Sequence, residues 1–283
     1  MERRTFLGTV AGFLYSQNVL GDEFAQRKFD ILLSQISNDE KLLEQAREYR
    51  EYSFRELGPT DSEILAQPHL PRRYNSTKAI SKKSFDLIIQ FEVSGQKTYE
   101  KKYRKPTWPG GDSGVTMGVG YDLGYAKAAD LATDWREFVP QSTIDGLSPV
   151  CGYKGTDAED NLGFMSAFDI PWSAAIAQFE SFLPTVKGET LHVFPEAKNL
   201  SDDSFGALVS LVYNRGSSLK KSTSDPLDRR LEMRNIQNLL IAGNLAGISQ
   251  ELLKMRRLWI NDPKAKGLVL RRELEADLFE SGI

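Results

Sequence analysis

Cysteine and histidine are almost missing from this chain. Of 283 residues one is cysteine, Cys151, and two are histidine, His69 and His192. A single thiol cannot close an intrachain disulfide, so the fold has to stand on its core. Two histidines without ligand spacing make no zinc centre of the usual kind, and beside one cysteine they mark no nucleophile and base. A positive excess is missing too. The 36 Lys and Arg against 39 Asp and Glu leave a net charge of -3, which argues against a protein built to coat nucleic acid. No apolar run is long enough to span a bilayer. Neither metal, cofactor nor nucleic acid is expected, and the search for chemistry turns to carboxylates.

What is present reads as a soluble, folded chain: 40% hydrophobic and 27% charged residues are ordinary for a globular protein. The N-terminus, MERRTFLGTVAGFLY, puts Arg3 and Arg4 before an apolar stretch from Phe6 to Tyr15 and resembles a twin-arginine export signal over residues 1–20. Gln17 and Asn18 break that stretch early and no A-x-A site follows, so a plain amphipathic first helix stands beside the export reading. Phe24, Phe29, Leu32, Leu33, Ile36, Leu42 and Leu43 recur at helical spacing, giving an N-terminal helical extension over 1–57. Pro59, Pro68 and Pro71 make 58–80 a linker or extended wrap. The main domain is drawn from Ser81 to the C-terminus.

Ser81 or Ser84 can cap a helix that carries Phe85, Ile88, Ile89 and Phe91 toward a core and ends near Gly95, with Glu92 in its last turn. Residues 113–124, SGVTMGVGYDLG, then alternate as a strand over 115–121, with Val115, Met117, Val119 and Tyr121 on one face. Thr116, Gly118, Gly120 and Asp122 fall on the other, where the glycines leave open backbone. Six residues of straight strand span about 20 Å, too far for Thr116 and Asp122 to serve one bond, so the chain is expected to bend at Gly118 or Gly120. The C-terminal half carries helical patterns over 205–216, 233–245, 248–258 and 266–280, the last with Arg271, Arg272, Glu273 and Glu275 placed to pair. The fold class is α+β, mostly α, with one small sheet.

A glutamate ending a helix, the strand VTMGVGY, the helix ALVSLVYNRG and the closing GLVLRRELE resemble, in that order, the phage-type lysozymes, and within them the pesticin-type muramidase domains. The resemblance covers about residues 81–283 and implies a lysozyme-like fold with a small β lobe and a helical lobe. It implies Glu92 as catalytic glutamate, Thr116 as the strand threonine and Asp122, six residues on, as the catalytic aspartate. In other phage enzymes the aspartate precedes the threonine, which makes Asp112 the alternative carboxylate. The stretch 145–171 reads as an insertion.

The chemistry implied is glycosidic cleavage between N-acetylmuramic acid and N-acetylglucosamine, with one protonated acid and one carboxylate that activates water or offsets developing positive charge. Glu92, between Phe91 and Val93 at a helix C-terminus, suits the acid; Asp122 suits the base, with Thr116 holding water. Tyr99, Tyr103, Trp108 and Tyr121, with Gly118 and Gly120, are candidates to meet sugar rings, and Lys101, Lys102, Arg104 and Lys105 to meet an anionic glycan peptide. The expected partner is a peptidoglycan strand, with an immunity protein if the chain serves competition between bacteria; a monomer acting in the periplasm or on the wall is expected. A lytic transglycosylase, a chitinase-like enzyme and a non-catalytic wall binder are the alternatives.

Overall fold

Residues 28–49, 74–110, 113–221 and 225–283 are described by the computed structural model. The export-signal reading of 1–20, the linker over 58–73 and Asp112 lie outside them. Among the described residues the fold is mostly helical with one two-stranded antiparallel sheet, an α+β protein.

Lys82–Val93 (α3) begins where the Ser81 hydroxyl accepts the Ser84 amide at 3.2 Å and ends at Ser94, in the left-handed region at φ 55. That break and Gly95 at φ 80 turn the chain straight into a second helix, Gly95–Lys102 (α4), which the periodicity does not reveal. Asp202–Arg215 (α9) is buried on nearly every side, from Ser204 to Arg215, as expected of a helix running through a core. It crosses α3 closely at Gly206, where a Cβ would fall 1.8 Å from the Ser84 hydroxyl. Leu231–Ile241 (α10), Ala246–Lys254 (α11) and Lys266–Glu280 (α12) complete the C-terminal group, with α12 laid on both α9 and α11.

Between these lie Ala128–Trp135 (α5), Gln141–Leu147 (α6), Thr156–Met165 (α7) and the long Trp172–Val193 (α8). The expected wrap is present from residue 74: Tyr74 stacks on His192 at 4.0 Å and the Ser76 amide donates to the Pro184 carbonyl at 3.0 Å. Gly188 makes this possible, since a Cβ there would stand 2.3 Å from the Asn75 nitrogen.

Residues 28–37 (α1) and Glu40–Tyr49 (α2) do not stand apart. Phe29, Ile36, Leu42 and Leu43 are buried in the same core as Leu87, Ile88 and Leu274. The Lys28 ammonium reaches the buried Asp277 carboxylate at 2.5 Å, and Lys102 of α4 pairs with Glu40 at 2.9 Å and with Glu44. The division expected at Ser81 therefore runs between helices that share one core. Four apolar side chains withdrawn from water, each worth roughly 1.5–3 kcal/mol, make the segment a structural part of the domain. Leu43→Ala should lower unfolding free energy in urea by about 2–4 kcal/mol; an unchanged midpoint would mean that residues 28–49 are a loosely held appendage.

Candidate active site

The expected single strand over 115–121 is two strands. Thr116–Met117 (β1) and Tyr121–Asp122 (β2) pair antiparallel, with Gly118 at φ 58 and Gly120 at φ 71 turning the chain between them. Both glycines bend, not one. The hairpin sets Thr116 directly opposite Asp122. Cross-strand partners carry their side chains on the same face with Cβ atoms about 4.5–5.5 Å apart, so the long span of a straight strand disappears. Thr107 flanks the other edge, exchanging backbone hydrogen bonds of 2.9 and 2.7 Å with Thr116.

Asp122 is held by backbone. Its Oδ1 accepts from the Gly124 amide at 2.8 Å and from the Gly114 amide at 3.1 Å. The Thr116 hydroxyl donates to the Gly114 carbonyl at 3.4 Å. Gly114 has to lack a side chain, because a Cβ there would lie 2.4 Å from Asp122 Oδ1 and 2.2 Å from the Gly124 nitrogen.

Glu92 is held by side chains from the far end of the chain. It sits in the last turn of α3 with its side chain fully enclosed, and Oε1 accepts from Arg271 Nη1 at 3.0 Å. The same guanidinium donates through Nε to Glu275 Oε1 at 3.3 Å and through Nη2 to the Ser210 carbonyl and hydroxyl, each at 3.2 Å. Glu275 Oε1 also accepts from Arg272 at 2.8 Å and from the Ser210 hydroxyl at 2.7 Å. Two guanidiniums and two carboxyl groups thus meet in the core. Burial holds the Arg272 guanidinium down to about 10 despite Glu275 beside it. The expected pairing of Arg271 and Arg272 is realised with Glu92 and Glu275, while Glu273 pairs with Arg256 instead.

Glu92 and the hairpin are tied to one turn of α9. Ser210 meets Arg271, and three residues on Tyr213 donates its hydroxyl to the Val119 carbonyl in the hairpin turn at 2.6 Å. Side chains three apart on a helix are neighbours.

The aromatic candidates fare unevenly. Tyr99 is wholly buried, donates to the Ile170 carbonyl at 2.9 Å, and has its phenol pushed far up by burial, so its ring belongs to the core rather than to a sugar surface. Tyr121 is buried as well, its hydroxyl on Asp134 at 2.6 Å and its ring edge-on to Trp135 and Phe182. Tyr103 and Trp108 are half-buried, and the Trp108 indole donates to the Ser113 carbonyl at 3.0 Å. Gly118 serves packing, since a Cβ there would stand 2.5 Å from the Trp135 ring. In the basic run Lys102 is engaged by Glu40 and Glu44 and Arg104 by Asp169. Lys101 and Lys105 are exposed. Cys151 is half-buried with its thiol pushed up to about 12 by burial, unsuited to nucleophilic work.

Among the described residues no group of three His, Cys, Asp or Glu is placed to hold a metal ion, and no helix is long and apolar enough to cross a membrane. A family model described as a domain of unknown function, DUF8812, matches residues 88–193. It begins within α3 and ends with α8, taking in Glu92 and the hairpin but not Arg271. No curated protein matches the chain.

Arg271→Ala would leave Glu92 and Glu275 facing a loss of their shared cation and should cost about 3–5 kcal/mol of stability. In a double-mutant cycle with Glu92→Gln the two changes should couple by about 1–3 kcal/mol in urea unfolding. Additive losses would show that the pair does not act as a unit.

Proposed function

We propose that this chain is a peptidoglycan hydrolase cleaving the β-1,4 bond between N-acetylmuramic acid and N-acetylglucosamine. The observation that carries the reading is the cross-strand pairing of Thr116 with Asp122. It sets a hydroxyl and a carboxylate side by side on one face of a tight hairpin, the arrangement needed to hold a water and take its proton. Asp122 is the base, its Oδ1 fixed by two amides. Glu92 is the acid, and Arg271, which donates to its Oε1, orients the carboxyl. With water activated on the face away from the acid, the anomeric carbon is attacked from behind and inverted. The reading requires that bound glycan open the cover over Glu92, whose side chain is fully enclosed.

That enclosure also favours a second reading, a wall-binding protein in which Glu92 serves only to neutralise Arg271. One digest separates them. Purified chain incubated with peptidoglycan should release muropeptides with reducing ends, whereas a binder co-sediments with the wall and releases nothing. 1,6-Anhydro ends would instead identify a lytic transglycosylase. Glu92→Gln should lower release by about 10²- to 10⁴-fold with the fold intact, and Asp122→Asn nearly as much. Asp112→Asn should change little; a dead Asp112→Asn beside an active Asp122→Asn would reassign the base.

A further inference from the structure

The stretch 145–171, which reads in sequence as an insertion of unknown role, reaches the hairpin. After α6 and a short turn at Ser148–Val150, the chain crosses residues 151–155 before α7. Within that crossing the Gly152 amide donates to the Leu123 carbonyl at 2.9 Å and the Gly155 amide to the Ser113 carbonyl at 2.9 Å. Those acceptors belong to the residues immediately before Gly124 and Gly114, the two glycines whose amides hold Asp122 Oδ1.

Contact is equally close between the backbones. A Cβ on Gly124 would stand 2.8 Å from Gly114 Cα and 2.8 Å from the Tyr153 carbonyl oxygen, so hairpin end and crossing are stacked without room for a side chain. Lys154 closes over the Tyr125 ring at 4.1 Å, pinning the crossing to the chain just beyond Asp122. The path depends on Gly152 at φ 86 and Gly155 at φ 57, values that side chains strain against.

We propose that residues 152–155 are a positioning clamp for Asp122. They press Gly114 and Gly124 together so that both amides converge on one carboxylate oxygen. The clamp makes no contact with substrate in this proposal; it acts through Asp122, and its catalytic meaning rests on the reading of Asp122 as base. The hairpin is only two residues per strand, and while Thr107 and Tyr213 hold its edge and its turn, the crossing is what packs on the two glycines whose amides meet Asp122 Oδ1.

Native-state amide exchange on the unmodified chain tests the clamp without any variant. The amides of Gly114, Gly124, Gly152 and Gly155 should exchange as one opening unit with a common protection factor. Exchange at Gly152 and Gly155 more than about 100-fold faster than at Gly114 and Gly124 would overturn the proposal, because the crossing would then open without loosening the site. Gly155→Ala, strained at its positive φ, should speed exchange at Gly114 and Gly124. It should also lower kcat on peptidoglycan by about 10- to 100-fold with KM within about twofold, the mark of a displaced catalytic group rather than a lost binding surface. A Gly155→Ala protein that folds with unchanged kcat, or that loses activity through KM alone, counts against the clamp. If the unmodified chain releases no muropeptides, the hydrolase reading fails. The exchange result then still decides whether the clamp exists.

Discussion

Arg271 is the residue on which the arrangement of the molecule turns. Its guanidinium lies in the core between Glu92 of α3 and Glu275 of its own helix, and it also takes up Ser210 of α9. A charge removed from water is tolerable only when its donors and partners are met with good geometry, so three helices must keep their relative positions to satisfy it. The register of α3, α9 and α12 is thereby coupled. A shift of any one of them would leave a buried ion facing apolar side chains.

The two candidate carboxylates, Glu92 and Asp122, are supported in different ways. Glu92 is placed by a residue 179 positions away in sequence, so its setting exists only when the C-terminal helices are docked. Asp122 is placed within its own hairpin by amides two and eight residues away, reinforced by the crossing at 152–155. One support is a long-range charge network that resists displacement through desolvation cost. The other is a close-packed backbone stack that resists it through steric fit. Arg215 is a further buried cation beside this network. The guanidinium of Arg215 lies 5.0 Å from the Trp259 ring and Arg272 lies 6.0 Å from it, and burial together with Arg230 and Arg272 pushes the proton affinity of Arg215 well below its ordinary value.

Much of the architecture is legible along the chain. The serine cap at residue 81, the apolar rows of the C-terminal helices and the glycine stop at Gly216 are local signals, and each element appears within a few residues of where its pattern puts it. Two local readings mislead for physical reasons. Alternation over 115–121 imitates a strand, yet positive φ at Gly118 and Gly120 folds it into a hairpin while leaving all four apolar residues buried. Prolines at 59, 68 and 71 suggest that the N-terminal helices are separable, yet Phe29, Ile36, Leu42 and Leu43 share the core of the main domain. An amphipathic stripe states that a face needs covering, not what covers it. The aromatic candidates show the same limit. Tyr99 and Tyr121 have the composition of a sugar platform and the position of core residues.

The sequence by itself determined the class of the fold, the identity of the carboxylates worth testing and the six-residue interval between Thr116 and Asp122. These follow from residue types and short spacings, which survive in one dimension. Tertiary structure alone decided that the interval closes into a facing pair, that Arg271 rather than solvent is the neighbour of Glu92, and that residues 152–155 lie on the glycines holding Asp122. Each of those depends on backbone dihedrals that only glycine permits, or on ion pairs and hydrogen bonds formed once helices distant in sequence have packed and excluded water between them.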